Sequence, residues 1–301
     1  MKCNTLYKKY VSSILSLGFV LEALAPNKIS TVSYRSPIKD LNMAKFVATS
    51  PILNKVYESI LDETVDKPRI GYWIRVTVSE VINNEYIRTN TCLGYAILTI
   101  PIIYAVKYSD TWLNPPELAK NATTLLYSTT SNEDAEEFYK ALRMLNPSYA
   151  NRYLGRIPDI QVGFIGNYTL IDILTESSFF DLIAYEVTHN YELTIDTYQY
   201  MKEVLNEVQS NILESISRTQ YHLISKYLDS EVVKGLGMER ALLVKSYQKI
   251  INLLKDSKEV QQRLIKLLDT YLRSNNVNLG TLADILALAT SFTLLEHSRS
   301  D

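Results

Sequence analysis

The chain has 301 residues, 31 basic against 33 acidic side chains and a formal net charge of -2, with the basic residues scattered rather than clustered. That balance argues against a nucleic-acid footprint, and the length allows one large core or two smaller ones. Nine glycines and nine prolines leave few turns, while two cysteines (Cys3, Cys92) and three distant histidines (His189, His222, His297) supply neither a disulfide framework nor zinc-ligand spacing. The first helix is expected from Thr5 to Ala25, ended by Pro26. Its start, with Lys2, Lys8 and Lys9 before an apolar run, superficially resembles a signal peptide. Glu22 in the cleavage region and the spacing Val11, Leu15, Gly18, Glu22 favour a folded amphipathic helix and a cytoplasmic protein.

Residues 26 to 39 lack helical periodicity and carry Lys28 and Arg35, so they read as a surface loop or a flap over a polyanion. A second helix is expected from near Asp40, resuming after Pro51 through Leu61. The β-branched stretch 69 to 84 is assigned to helix because Ile70, Trp73, Ile74, Thr77, Val78, Val81 and Ile82 follow a three-and-four spacing, and strict alternation fails twice.

The stretch from Thr89 to Tyr108 holds the longest apolar run, preceded by Thr89, Asn90 and Thr91, residue types that hold free N–H groups at a helix start. It is expected to be the central helix, with Pro101 a candidate kink, and it is too short for a membrane span. Such a start can be a plain cap or can receive a phosphate or ribose. Thr130 and Glu133 then suggest a capping box for a helix through Met144, and residues 147 to 168, with Gly155, Gly163 and Gly166, resemble a lid. Further helices are expected at about 169 to 190, 193 to 227, 237 to 256, 258 to 274 and 281 to 297. The whole is one all-α domain, 1 to 301, of about ten helices, and the run Leu243, Tyr247, Ile250, Leu254 with Leu264, Leu267 and Tyr271 is expected in the core.

Three carboxylates lie in apolar stretches, where a charge is costly without a partner: Glu22, Asp181 and Asp284. Brought together they suit a magnesium ion or a general base. Each also has a plainer reading. Glu22 can face solvent from the last turn of its helix, Asp181 can cap a neighbouring helix start, and Asp284 can partner Thr281 in a cap. Asp229 and Lys234, flanking Glu231, read as an ordinary solvated turn.

The order of several segments resembles the triphosphoribosyl-dephospho-CoA synthase family. Leu21-Glu22-Ala23 precedes Lys28 to Val32, where the family has Lys-Pro-Gly-Asn-Val and this chain keeps Lys28 and Val32. Thr89-Asn90-Thr91-Cys92-Leu93-Gly94 is similar to Thr-Asn-Thr-Asn-Leu-Gly with one change, and Asp181-Leu182-Ile183-Ala184 matches Asp-Leu-Ile-Ala. Asn278 to Asp284 is similar to Asn-Pro-Gly-Thr-x-Ala-Asp with Leu279 for proline, and Leu154-Gly155 with Asp159-Ile160 looks like a further match.

This resemblance implies an all-α transferase in which a ribose hydroxyl of dephospho-CoA, or of a related acceptor, attacks the anomeric carbon of ATP's ribose and expels adenine. It implies Mg2+ with ATP as substrate, ATP and dephospho-CoA or a related nucleotide as partners, no nucleic acid and no membrane, with a homodimer open as an assembly state. Asp181, Glu22 and Asp284 are the expected catalytic groups, Asp181 and Glu22 the expected metal ligands. Lys28, Arg35, Thr89, Asn90, Thr91, Gly94, Asn278, Gly280 and Thr281 are the expected nucleotide contacts. The alternative reading is a non-catalytic nucleotide-binding or partner-binding helical protein.

Overall fold

The computed structural model describes residues 2–146, 155–161, 166–254 and 257–297. Among them are fourteen α-helices and no strand: α1 (Lys2–Leu24), α2 (Met43–Asp62), α3 (Ile70–Asn83), α4 (Leu93–Tyr108), α5 (Pro115–Thr129), α6 (Asn132–Leu145), α7 (Leu170–Ser177), α8 (Leu182–Thr188), α9 (Glu192–Glu207), α10 (Ile212–Lys226), α11 (Ser230–Leu236), α12 (Met238–Leu253), α13 (Lys258–Ser274) and α14 (Gly280–His297). Four more helices appear than the sequence pattern suggests, for local reasons. The 169 to 190 segment breaks at Ser178, leaving Asp181 as the N-cap of α8 rather than inside a helix. The 193 to 227 segment breaks where Gln209 and Ser210 take positive φ. Helix α5, weakly apolar and started by Asn114 with a Glu117 capping box, and α11, in the stretch expected to be a solvated turn, had no counterpart in the pattern. The box starting α6 is formed by Ser131 and Asp134, one residue later than Thr130 and Glu133. Pro51 and Pro101 both lie within continuous helices.

Helix α4 is buried all round from Tyr95 to Val106, and it shares the interior with α14, which is equally enclosed. Both read as apolar on every face, which a helix tolerates only when others surround it. Helix α1 packs along α14 and α2, and α9 covers another side of α14. The α1–α14 crossing is close because Gly18 has no side chain. A Cβ there would lie 2.1 Å from Ser291 Oγ and 2.9 Å from Ala287 O.

Some of the tyrosines have an internal role. Tyr57, Tyr95 and Tyr191 are fully buried and tie helices together, Tyr57 Oη to Thr99 Oγ1 at 2.7 Å, Tyr95 Oη to Leu15 O at 2.7 Å and Tyr191 Oη to Leu98 O at 2.8 Å. A phenol inside a core is stable only with such a partner.

Residues 28 to 33 do not form a surface loop or a flap; they are buried. Side chains from α10 and α13 satisfy their backbone: Ile29 N donates to Gln220 Oε1 at 2.7 Å, Ser30 N to Asp269 Oδ1 at 2.7 Å, and Arg273 Nη2 to Thr31 O at 2.8 Å. Ser30 holds φ at 45°, a left-handed value, at the position where the resembling family has glycine. Its Oγ donates to Val277 O at 2.6 Å, so the glycine-like turn is kept by hydrogen bonding.

The run expected in the core also differs. Leu243, Tyr247 and Ile250 are about half exposed, at 53%, 51% and 47%. Helix α12 instead buries Ala241, Val244 and Ile251 on an adjoining face, against α10. Most of the expected 147 to 168 lid lies outside the described residues, as do the side chains of Cys3 and Lys234. No helix among the described residues is long and apolar enough to cross a membrane.

Candidate active site

A cleft of about 700 Å³ opens where the end of α1, the starts of α4, α8 and α14, and helices α6, α7 and α11 meet. Glu22, Asp181 and Asp284 all line it, although they stand 159 and then 103 residues apart in sequence. Asn90, Thr91, Gly94, Asn278, Gly280 and Thr281 line it as well. A further carboxylate, Glu231, completes an acidic end, Asp159 lines the cleft between Ile157 and Ile160, and the described lining contains no Lys, Arg or His. The other end is apolar, walled by Phe138 and Leu142 of α6, Ile173 and Leu174 of α7, and Ile157 and Ile160.

Each carboxylate is fixed differently. Asp181 Oδ1 accepts the N–H groups of Ile183 at 2.9 Å and Ala184 at 3.2 Å, so the capping reading and the cleft-facing one hold together. Glu22 is buried and paired with the Lys28 ammonium, itself fully enclosed. Burial raises the Glu22 carboxyl and lowers the Lys28 ammonium, and each partner offsets the other's shift. Asp284 has no hydrogen bond among the described residues, so it does not partner Thr281 in a cap. Its carboxyl is held well above the usual range, first by burial and then by the charges of Glu22, Asp229, Asp181 and Glu231.

Gly94 fits directly against Asp284: a Cβ on Gly94 would lie 2.2 Å from Asp284 Oδ2. The glycine of the Thr89 to Gly94 segment is therefore the seat of a carboxylate from the last motif. Cys92, two residues before Gly94 and buried, has its thiol pushed up to about 12, by burial first and then by Asp284. That keeps it an unreactive thiol.

Several expected contacts are placed elsewhere. Lys28 does not line the cleft; it sits behind Glu22, where its charge is consumed. Arg35 is exposed outside the cleft, 6.0 Å over the Tyr34 ring, and Thr89 is half-buried away from the lining. Thr91 Oγ1 is taken by Thr49 Oγ1 at 2.7 Å and Thr281 Oγ1 by Ser230 Oγ at 3.0 Å. The start of α4 is capped from outside by Asn90, whose Oδ1 accepts Cys92 N at 3.3 Å and Leu93 N at 3.0 Å.

The sequence reading missed Asp229. It is 2% exposed rather than solvated, and accepts Glu231 N at 2.7 Å and Leu282 N at 2.9 Å, so it joins the start of α11 to the first turn of α14. Burial, the largest influence, pushes its carboxyl up to about 7. The signal was available, since Asp229 directly precedes Ser230, Glu231 and an apolar pair, a helix-start pattern.

No three His, Cys, Asp or Glu side chains among the described residues are set to hold a metal ion by themselves. The donor chemistry still suits Mg2+, which takes oxygen ligands and is commonly bound through one or two carboxylates plus substrate phosphates.

Among solved structures, the chain is similar to a protein from Archaeoglobus fulgidus provisionally described as a triphosphoribosyl-dephospho-CoA synthase. The TM-score is 0.60 at 19% identity, covering 83% of this chain and 98% of that chain, a likeness of fold. No curated protein sequence matches. The family model for ATP:dephospho-CoA triphosphoribosyl transferase matches residues 8–301, nearly the whole chain. With its motif segments gathered around one acidic cleft, the chain belongs to the ATP:dephospho-CoA triphosphoribosyl transferase family.

Proposed function

We propose that the chain transfers the triphosphoribosyl group of ATP to a ribose hydroxyl of dephospho-CoA in this cleft. The observation that carries the reading is the convergence of Glu22, Asp181 and Asp284, from three separate segments, with Asn90 and the 278 to 281 turn on one cavity. The bond from the acceptor oxygen to the anomeric carbon forms as the bond from that carbon to adenine breaks. The hydroxyl proton goes to a base, and the departing adenine takes a proton from an acid.

Asp181, oriented by two backbone N–H groups, is the base. Asp284, driven first by burial and then by neighbouring carboxylates to hold its proton, is the acid, following the rule that paired groups with divergent environments divide the two roles. Glu22 is held in place by Lys28 and supplies negative charge beneath the ring carbon as it becomes cationic. A triphosphate that enters among carboxylates calls for counter-charge at that end of the cleft. Mg2+ bound with ATP would supply it, with Glu231 as the cleft carboxylate that would share it. Glu22, paired with Lys28, is less suited to the metal than the sequence suggested. The apolar end suits uncharged parts of the substrates and excludes water from the reacting carbon.

The test is adenine release from ATP with Mg2+, with and without dephospho-CoA. Asp181→Asn is the decisive variant, because asparagine caps a helix as well as aspartate does but cannot take the proton. Adenine that appears only with dephospho-CoA and falls at least about 100-fold in Asp181→Asn, at unchanged thermal stability, supports the assignment. Release that persists in the variant refutes it.

A further inference from the structure

Helix α12 is apolar on two sides, and only one has a partner within the chain. Ala241, Val244 and Ile251 pack inward, while Leu243, Tyr247 and Ile250 form a second stripe at four- and three-residue spacing, flanked by exposed Leu242 and Leu253. An ordinary surface helix turns charge toward water on that side. Helix α13, packed against α12, repeats the feature with exposed Leu267.

Those five exposed side chains of α12, each about half exposed or more, offer on the order of 500 Å². Doubled over two copies, that is about 1,000 Å², the size at which a specific interface begins. The stripe is also self-complementary. With a two-fold axis between Ser246 and Tyr247, an antiparallel second α12 places Leu243 of one copy opposite Ile250 of the other, and the two Tyr247 rings meet near the axis. The basic Lys245 and Lys249 lie off the stripe, at its polar margin, where a coiled-coil-like pair keeps its charges.

We propose that the protein is a homodimer in which the exposed faces of α12 pack antiparallel across a two-fold axis. The cleft does not depend on this contact, since none of these residues lines it.

The test is sedimentation of the full chain, with Leu243→Glu and Ile250→Lys made singly and then mixed. The wild type should sediment as a dimer, and each variant should dissociate with at least about 100-fold weaker association and unchanged helical circular dichroism. Mixing the two variants should restore a dimer, because the negative charge at 243 in one chain then faces the positive charge at 250 in the other. A wild type that stays monomeric at about 100 µM overturns the proposal and leaves the face to another partner. A dimer indifferent to both substitutions overturns it too, and variants that dissociate yet do not re-associate on mixing overturn the antiparallel arrangement.

Discussion

Gly94→Ala separates the site from the fold. The added methyl would lie 2.2 Å from Asp284 Oδ2, 3.1 Å from its Cγ and 3.3 Å from Ile183 Cγ1, and all three are side-chain atoms. Ordinary contact begins near about 3.5 Å, so the Asp284 carboxylate must retreat by more than about 1 Å. Leaving its rotamer costs about 0.5–1.5 kcal/mol, while exchanging glycine for alanine in a helix returns up to about 1 kcal/mol. Net stability should therefore change by no more than about 1 kcal/mol, and the melting temperature by a few degrees. Catalysis should suffer far more, since a misplacement of about 1 Å in a reacting group can cost about 100-fold. Thermal melting beside adenine release from ATP and dephospho-CoA reads both quantities. Wild-type turnover in a stable variant would show that the position of Asp284 is immaterial. A stability loss above about 3 kcal/mol, with turnover per folded molecule intact, would reduce the contact to packing.

Lys28→Met leaves Glu22 buried without its counter-charge and should destabilise by about 3–5 kcal/mol near pH 8. Burial then raises the folded-state Glu22 carboxyl above its unfolded value, so the protonated form favours folding. Urea melts should show the variant recovering stability as pH falls toward about 5, and Glu22→Gln added to Lys28→Met should remove that recovery. Asp229, pushed up to about 7 from 3.8, acts with the same sign: its contribution is complete below pH 3.8 and is lost as pH rises through about 7. Asp229→Asn should therefore flatten the decline in stability over that window, measured by urea titration at several pH values. Gly18→Ala forces a methyl onto backbone atoms, Ala287 O and Ser291 N both at 2.9 Å, where nothing can rotate aside. It should cost about 1–3 kcal/mol in denaturant melts while leaving turnover per folded molecule near normal.

Much of the site was legible because chemistry and apolarity conflict locally. A carboxylate between Phe180 and Leu182, or between Ala283 and Ile285, has to be explained wherever the helices go. The helical character of α3, α4 and α14 likewise follows from spacing and apolar length alone. Basic residues were misread, since Lys28 in a glycine-poor loop looks like a phosphate contact until Glu22 is seen against it.

What the sequence by itself determined was the all-α class, the buried character of α4 and the three carboxylates of the cleft, because periodicity and the cost of buried charge are properties of neighbouring residues. The tertiary structure decided the rest. Only packing brings Gly94 against Asp284 and Lys28 against Glu22, joins Asp229 to the start of α14, and turns one apolar face of α12 inward and the other out. Those outcomes depend on which helix lies opposite, and a pattern of spacings along one helix is the same whichever neighbour it meets.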